Sequence, residues 1–274
     1  MVEDYSKYNG KGTDLRKVQL RLLEMMVEFD RICRKHKLQY FISGGTCLGA
    51  VRHGGFIPWD DDVDIDILFK DYTKLKKVLI KELPPNYMIQ DPETDKGYYQ
   101  VFSRIVDLRS TIYYPSETSH FRENLNFKGL FLDIFPIKRI FSYRFKKLVD
   151  YYFISLFRYN RGIGRKTMSS PIKRIIFYAL WPFAKIIVQG LNHFSFLNVL
   201  NFTNKEKYSH IYGTNIVPRI KYSNVFPSKP LFFEGHQFSG PAKPDEYLRD
   251  LYGDYMTIPS VENRKTHSIK IEVY

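Results

Sequence analysis

Cysteine is nearly missing: Cys33 and Cys47 are the two in 274 residues, and they do not form a C-x-x-C pair. That excludes a disulfide scaffold and a cysteine-ligated zinc site, and it points to a reducing compartment. Also missing is the apolar core of a secretory leader in the opening stretch MVEDYSKYNGKGTDLRK, so a cytoplasmic protein is expected. There is no internal repeat and no low-complexity run, which argues against solenoids and disordered arrays. Acidic residues are the minority charge, with 29 Asp+Glu against 42 Lys+Arg and a net charge of +13. Such an excess favours a polyanionic partner, whether nucleic acid, an anionic membrane or a phosphorylated substrate, without choosing among them.

What is present is apolar and aromatic: 44% hydrophobic residues, with 16% aromatic. A chain of this length and content buries a full core, as one large domain or a domain with an insertion. Leu15, Val18, Leu22, Met25, Met26, Phe29 and Ile32 recur at the spacing of an amphipathic helix over residues 14–37, with Thr13 or Asp14 as cap. LQYFIS reads as a strand that enters a turn at Gly44-Gly45-Thr46 and a short helix, TCLGAVRH. DVDIDILF reads as a second strand. Asp71 is placed to cap the following helix, YTKLKKVLIKEL, which Pro84-Pro85 ends. YYQVFSRIVDL, STIYY and GLFLDIF, β-branched and aromatic between turn signals, extend the sheet. The fold class expected is α/β, a mixed sheet with flanking helices, over a core of residues 1–137.

From residue 138 to about 210 the composition changes to a basic aromatic insertion. Between residues 138 and 185, Lys138, Arg139, Arg144, Lys146, Lys147, Arg158, Arg161, Arg165, Lys166, Lys173, Arg174 and Lys185 stand against Asp150 alone. Its most apolar part, IIFYALWPFAKIIVQGL, is near the ~17-residue lower limit for crossing a bilayer. Pro182 and Lys185 interrupt it, and a charge at mid-membrane costs at least roughly 2.5 kcal/mol. A basic aromatic helix lying on the membrane surface is therefore favoured over a spanning one, with packing inside the protein as the plain alternative. Residues 211–274, with one helix expected at PDEYLRDLYGDYM behind Pro244 and Asp245, pack back on the core.

The strongest chemical signal is acidic. Asp60, Asp61, Asp62, Asp64 and Asp66 lie within seven residues, and Val63, Ile65 and Ile67 alternate with the last three. On a strand, Asp62, Asp64 and Asp66 share one face while the β-branched residues enter the core. Carboxylates so close repel unless a cation sits among them, and oxygen-only ligands favour Mg²⁺ or Mn²⁺. A Ca²⁺ loop of the EF-hand type fails, because its sixth and twelfth positions would be Ile65 and Asp71, or Ile67 and Thr73, in place of Gly and Glu. A solvated acidic turn would not alternate with three β-branched residues. Upstream, Gly44, Gly45 and Thr46 open a helix after a strand, where backbone N–H groups meet phosphate; alone, such a pair of glycines is more often an ordinary turn.

The string SGGTCLGAVRHGGFIPWDDDVDIDI closely resembles the LicD family, which includes bacterial phosphocholine transferases and, more distantly, fukutin and fukutin-related protein. Three further blocks are similar to the same family: Ser103-Arg104-Ile105 with Thr111; Gly129-Leu130-Phe131-Leu132-Asp133-Ile134-Phe135-Pro136; and Tyr252-Gly253-Asp254-Tyr255-Met256 with Pro259, Arg264 and His267. The resemblance implies a nucleotidyltransferase fold in which Asp62 and Asp64 bind metal and Asp133 completes the site. Asp66 is a further candidate ligand or an outer partner. The residues agree to this extent, that a lone carboxylate inside the apolar strand LFLDIFP is costly unless paired or metal-bound. Arg52, His53, Arg104, Arg264 and His267 are candidates to contact the donor, with structural ion pairs as the alternative, and Trp59 is the aromatic side chain nearest the acidic strand for holding a quaternary ammonium.

The activity this implies is transfer of an alcohol phosphate from a CDP-alcohol donor to a hydroxyl of a cell-surface glycan or its lipid-linked precursor, at the inner face of the membrane. Transfer of the nucleotide itself is the competing enzymatic reading. A non-catalytic nucleic-acid-binding protein is disfavoured, since the basic residues cluster with apolar aromatics and form no known binding motif.

Overall fold

In a computed structural model of the chain, residues 4–113, 124–160, 171–193, 206–214, 216–264 and 270–274 are described. Helices α1 (Ser6–Asn9) and α2 (Asp14–Lys35) precede β1 (Tyr40–Ile42), α3 (Gly44–His53), β2 (Asp64–Leu68) and α4 (Phe69–Glu82). Strands β3 (Tyr87–Gln90), β4 (Ser103–Asp107), β5 (Ser110–Tyr113) and β6 (Phe131–Arg139) follow, then the helix pair α5 (Tyr143–Asn160) and α6 (Pro171–His193). The last third holds β7 (Lys207–His210), β8 (Ile220–Lys221), α7 (Tyr222–Val225), β9 (Lys229–Phe233), β10 (His236–Gly240), α8 (Pro244–Tyr252) and β11 (Lys270–Val273).

The architecture is α/β around a mixed sheet of seven strands. Its main path runs β1-β2-β6-β4-β3, and β7 and β8 continue from β6. Strands β2 and β6 run parallel, with Asp64 opposite Asp133 and Leu68 opposite Ile137. The other pairings of this sheet are antiparallel. The expected division at residue 137 falls inside β6, and β7, from the end of the basic insertion, pairs with Ile137–Arg139. In the C-terminal segment β10 lies beside β1, α8 on α3, and β11 pairs with β5.

Periodicity explains α2 directly. Val18, Leu22, Met25, Met26, Phe29 and Ile32 are all buried on one face, and the Thr13 hydroxyl accepts the Arg16 N–H at 3.2 Å. The helix stops at Lys35, short of the expected 37, because Lys37 turns to a positive φ of 52° and the Leu38 N–H returns to the Cys33 carbonyl at 2.9 Å. Asp71 does not cap α4. The helix begins at Phe69, straight off β2, and Asp71 sits in its first turn, where its charge suits the helix dipole. Of YYQVFSRIVDL only Ser103–Asp107 is strand, and before it the chain turns at Asp91, which takes the N–H groups of Glu93 and Thr94 at 2.8 and 3.0 Å.

The helix pair rests on a small second core of Ile140, Phe153, Ile154, Phe157, Val188 and Tyr212. Within it Asp150, the one acid between residues 138 and 185, finds its partner. Asp150 and Lys146, one turn apart on α5, form an ion pair with neither side chain exposed. Asp150 also accepts the Gly213 N–H at 2.6 Å, and Lys146 donates to the Thr214 hydroxyl and the Ile216 carbonyl, each at 3.2 Å. These bonds tie α5 to the chain that leaves β7. Removing one partner leaves a buried charge uncompensated, so we expect Asp150→Ala to cost about 3–5 kcal/mol. Lys146→Met combined with Asp150→Leu should cost clearly less in the same denaturant titrations.

Candidate active site

Three neighbouring strands align their polar residues in a row. Asp64 on β2 faces Asp133 on β6, and Asp133 faces Arg104 on β4. The Asp133 N–H donates to the Val63 carbonyl at 3.0 Å, which locks the two acidic strands in this register. Arg104 is buried, with its guanidinium carbon 4.3 Å from the Phe131 ring centroid and 4.6 Å from that of Tyr98. Its Nε stands 3.9 Å from the Asp133 carboxylate. Strand β2 starts at Asp64, so Asp60, Asp61 and Asp62 lie in the segment that leads into it. Burial, then the charges of Asp62, Asp133, Asp60 and Asp66, push the Asp64 carboxyl well above the ordinary carboxylate range. Asp60 is pushed the same way by burial and by Asp62 and Asp61.

The start of α3 closes against this row. Gly44 has φ of +51°, and a Cβ there would stand 2.9 Å from Asp64 Oδ2, so a side chain would collide with the carboxylate. A Cβ on Gly45 would come within 3.2 Å of Asp60 Oδ2. The Thr46 hydroxyl accepts the Asp64 N–H at 2.9 Å, and the Ser43 N–H donates to the Asp64 carbonyl at 3.0 Å. Asp66 lies deeper on the same face of β2, where it accepts the Ser43 hydroxyl at 2.9 Å and pairs with His210 Nε2 at 3.3 Å. His210 in turn stacks on Phe135 at 4.5 Å. The carboxylate of Asp66 is thus held inside the protein while those of Asp64 and Asp133 are partly open.

Two tyrosines of α8 complete the wall. Tyr247 takes the Gly44 N–H at 3.1 Å, and the Tyr252 hydroxyl is 3.7 Å from the position of a Gly44 Cβ. Burial, followed by the charges of Asp64, Asp60 and Asp62, raises the Tyr252 phenol, so it stays protonated and able to donate. Tyr252 stands in a block singled out from the sequence, but neither tyrosine, Ser43 nor His210 was marked as a site residue. Their roles come from packing between segments far apart in the chain.

The remaining candidates form a second cluster beside Trp59. Arg52 donates to the Tyr255 carbonyl at 2.8 Å and to His53 Nε2 at 3.0 Å, so it fastens α3 to the loop after α8. His53, packed edge-on to Tyr5 and Trp59, is lowered to about 4 by burial and by Arg52, and it is neutral at physiological pH. Arg264 sets its guanidinium 4.7 Å from the Trp59 ring centroid and 5.7 Å from that of Tyr5, and it donates to the Pro259 carbonyl at 3.0 Å. His267 lies outside the described residues.

Among the described residues no three Asp, Glu, His or Cys side chains are arranged as a ready cation cage. The donor chemistry nonetheless fits Mg²⁺, which is usually bound by one or two carboxylates together with substrate phosphates and water. Asp64 and Asp133, with Asp62 beside them, supply that type of half-site.

Residues 37–181 match the family described as LicD/FKTN/FKRP, nucleotidyltransferase domain. The chain is 29% identical to lipopolysaccharide cholinephosphotransferase LicD of Haemophilus influenzae, over 95% of its own length and 98% of that protein's. An uncharacterized protein of Rickettsia prowazekii is 40% identical over 28% of the chain and 27% of the relative. Human ribitol 5-phosphate transferase FKRP is 53% identical over a short stretch covering 12% of the chain and 7% of the relative.

A carboxyl raised in the folded state destabilises the fold above its unfolded value, ordinarily 3.8 for Asp, and the penalty grows from there as the pH climbs, levelling off above the folded value. Metal-free protein should therefore melt lower as the pH rises from the unfolded value toward neutrality. Asp64→Asn should flatten this slope and raise the neutral-pH melting temperature by at least about 2 °C. An unchanged slope would contradict the electrostatic account.

Proposed function

Because the chain belongs to the LicD/FKTN/FKRP nucleotidyltransferase family, we propose that it transfers an alcohol phosphate, phosphocholine or a similar group, from a CDP-linked donor to a glycan hydroxyl, using Mg²⁺ or Mn²⁺. Transfer of a phosphate group to a glycan is what the names of the relatives support. The observation that carries the reading is the Asp64–Asp133 pair on adjacent parallel strands, with the first turn of α3 packed against it.

A bound divalent cation would be held by Asp64 and Asp133, with Asp62 adjacent, and would neutralise charge on the transferred phosphate and on the leaving oxygen. The chain's own groups do the rest. Gly45 and Thr46 open α3, where N–H groups lack intrahelical acceptors and the dipole favours an anion, so the donor diphosphate is received there. Tyr252, kept protonated, donates to a phosphate oxygen at the same rim. Asp133 is positioned to accept the proton of the attacking hydroxyl, and Arg104, clamped between two rings, fixes that carboxylate. Arg52 and Arg264 fasten the loop after α8 to α3 and to the Trp59 ring.

Membrane association is part of the proposal. Helix α6 is long and apolar enough to cross a membrane by length and composition alone, and it runs through Pro182 without a break. Yet Ile172, Ile175, Ile176, Leu180, Phe183 and Ile186 form an exposed stripe at helical spacing, with Ile175 68% and Phe183 65% exposed. An apolar stripe turned outward on a chain of charge +13 suits an anionic membrane surface at the inner face, where a lipid-linked acceptor would lie.

Two measurements test these readings. Incubation with CDP-choline and acceptor should release CMP, fall to background in EDTA, recover with Mg²⁺ or Mn²⁺, and drop at least ~100-fold in Asp64→Asn. Pyrophosphate release from CTP, with no CMP from CDP-alcohols, would instead support transfer of the nucleotide. Separately, the protein should sediment with anionic vesicles and much less with neutral ones. Ile176→Asp with Phe183→Asp should abolish that sedimentation without lowering the melting temperature, and unaltered sedimentation of the double variant would refute the surface role of α6.

A further inference from the structure

Two cavities lie between α6 and the body of the protein, away from the carboxylates. One, of 480 Å³, is lined by Lys70, Lys138, Arg139, His193, Tyr208 and Tyr222 among others, and no carboxylate lines it. The other, of 580 Å³, shares Phe69, Thr73, Asn192 and His193 with the first and continues along Trp181, Lys185 and Val188 of α6. Its one acidic lining residue, Glu93, is already paired with Lys76 at 2.9 Å.

The first cavity is rich in donors. Lys70 is exposed and makes no ion pair among the described residues, and Arg139 lies near it at the end of β6. The hydroxyls of Thr73, Tyr208 and Tyr222 add neutral donors. Lys138 is spent otherwise: it donates to the Leu191 and Asn192 carbonyls at 2.5 and 2.6 Å, which pins the last turn of α6 to the cavity wall. Its charge nonetheless adds to the field there. A chamber with several cations, hydroxyl donors and no acid suits a phosphate group better than any neutral ligand.

Its place in the fold narrows the source of that phosphate. Leu68 and Ile137 line the cavity, farther along the same two strands that carry Asp64 and Asp133. Four residues separate the two pairs, roughly 13 Å at the rise of a strand. The second cavity, which adjoins it, runs along the inner side of α6 past Phe153, Phe157, Trp181 and Val188. A ligand anchored here by phosphate therefore has apolar surface beside it and the carboxylate pair within reach of an attached chain.

We propose that this basic cavity binds the phosphate headgroup of the lipid that carries the acceptor, so that its glycan reaches over the protein surface to the Asp64–Asp133 pair. This rests on the transferase reading of the carboxylate site but is tested without it. The full chain is titrated in EDTA with neutral phosphatidylcholine vesicles doped with a long-chain prenyl diphosphate, and with vesicles carrying matched charge as phosphatidylglycerol. Wild-type protein should bind the diphosphate-doped vesicles at least ~10-fold more tightly than the matched ones. Lys70→Glu should abolish this preference and Tyr208→Phe should weaken it, with melting temperatures unchanged. Equal binding to both vesicles, or a preference that survives Lys70→Glu, would overturn the proposal. So would displacement by inorganic diphosphate at concentrations equal to those of the lipid, which would assign the cavity to a soluble anion. Lost preference alongside CMP release refutes the cavity alone, whereas preference without CMP release refutes the transferase reading alone.

Discussion

Asp64 and Asp133 stand opposite each other on adjacent strands, and burial together with the charges of Asp62, Asp60 and Asp66 opposes the ionisation of Asp64. No packing of apolar groups would gather carboxylates in this way, and the elements around them are arranged to oppose the repulsion. The first turn of α3 brings its N-terminus up to Asp64 through a position where only glycine fits. Arg104 lies on the far side of Asp133, held by two rings. Ser43 and His210 take up the charge of Asp66 from within. What this leaves is a pair of partly open carboxylates between a helix N-terminus and a guanidinium, the setting in which a cation and a diphosphate stabilise each other.

The same constraint gives the C-terminal third its purpose. Tyr247 and Tyr252 reach the Gly44 turn from α8, and Arg52 holds the following loop through the Tyr255 carbonyl. Without these contacts the rim of the site would be α3 alone. The neutral His53 and the rings of Tyr5 and Trp59 form an apolar shoulder beside Asp60, on which the Arg264 guanidinium lies. Arg52, flagged from the sequence as a donor contact, is thus bonded to the loop after α8.

The helix pair follows a different logic. Its inner side is anchored by the buried Lys146–Asp150 pair and a small aromatic core, whereas the outer stripe of α6 is apolar and uncovered. A helix with its apolar face turned outward reverses the usual pattern of a globular protein. The cavity beneath the end of α6 is walled by Asn192 and His193 of that helix and by Ile137, Lys138 and Arg139 of the sheet.

Sequence alone determined a good deal. Helical spacing located α2, the alternation of Asp with β-branched residues located the acidic strand and its core face, and the isolated Asp133 within LFLDIFP marked a second carboxylate strand. Each is a property of consecutive residues, so the pattern carries it. The strands Tyr87–Gln90, β7, β8 and the β9–β10 hairpin were not legible, because they are short and take their pairing from partners far along the chain. Only the tertiary structure decided that Asp64 faces Asp133, since strand register is set between segments about seventy residues apart. It also decided that Asp66 is sealed inside by Ser43 and His210, although the period of two placed it with Asp64. The alternation assigns a face, but depth along that face depends on what packs over it. Asp150 of the basic segment likewise gained its meaning from Lys146 and Gly213, one a helical turn away and the other brought in by the fold.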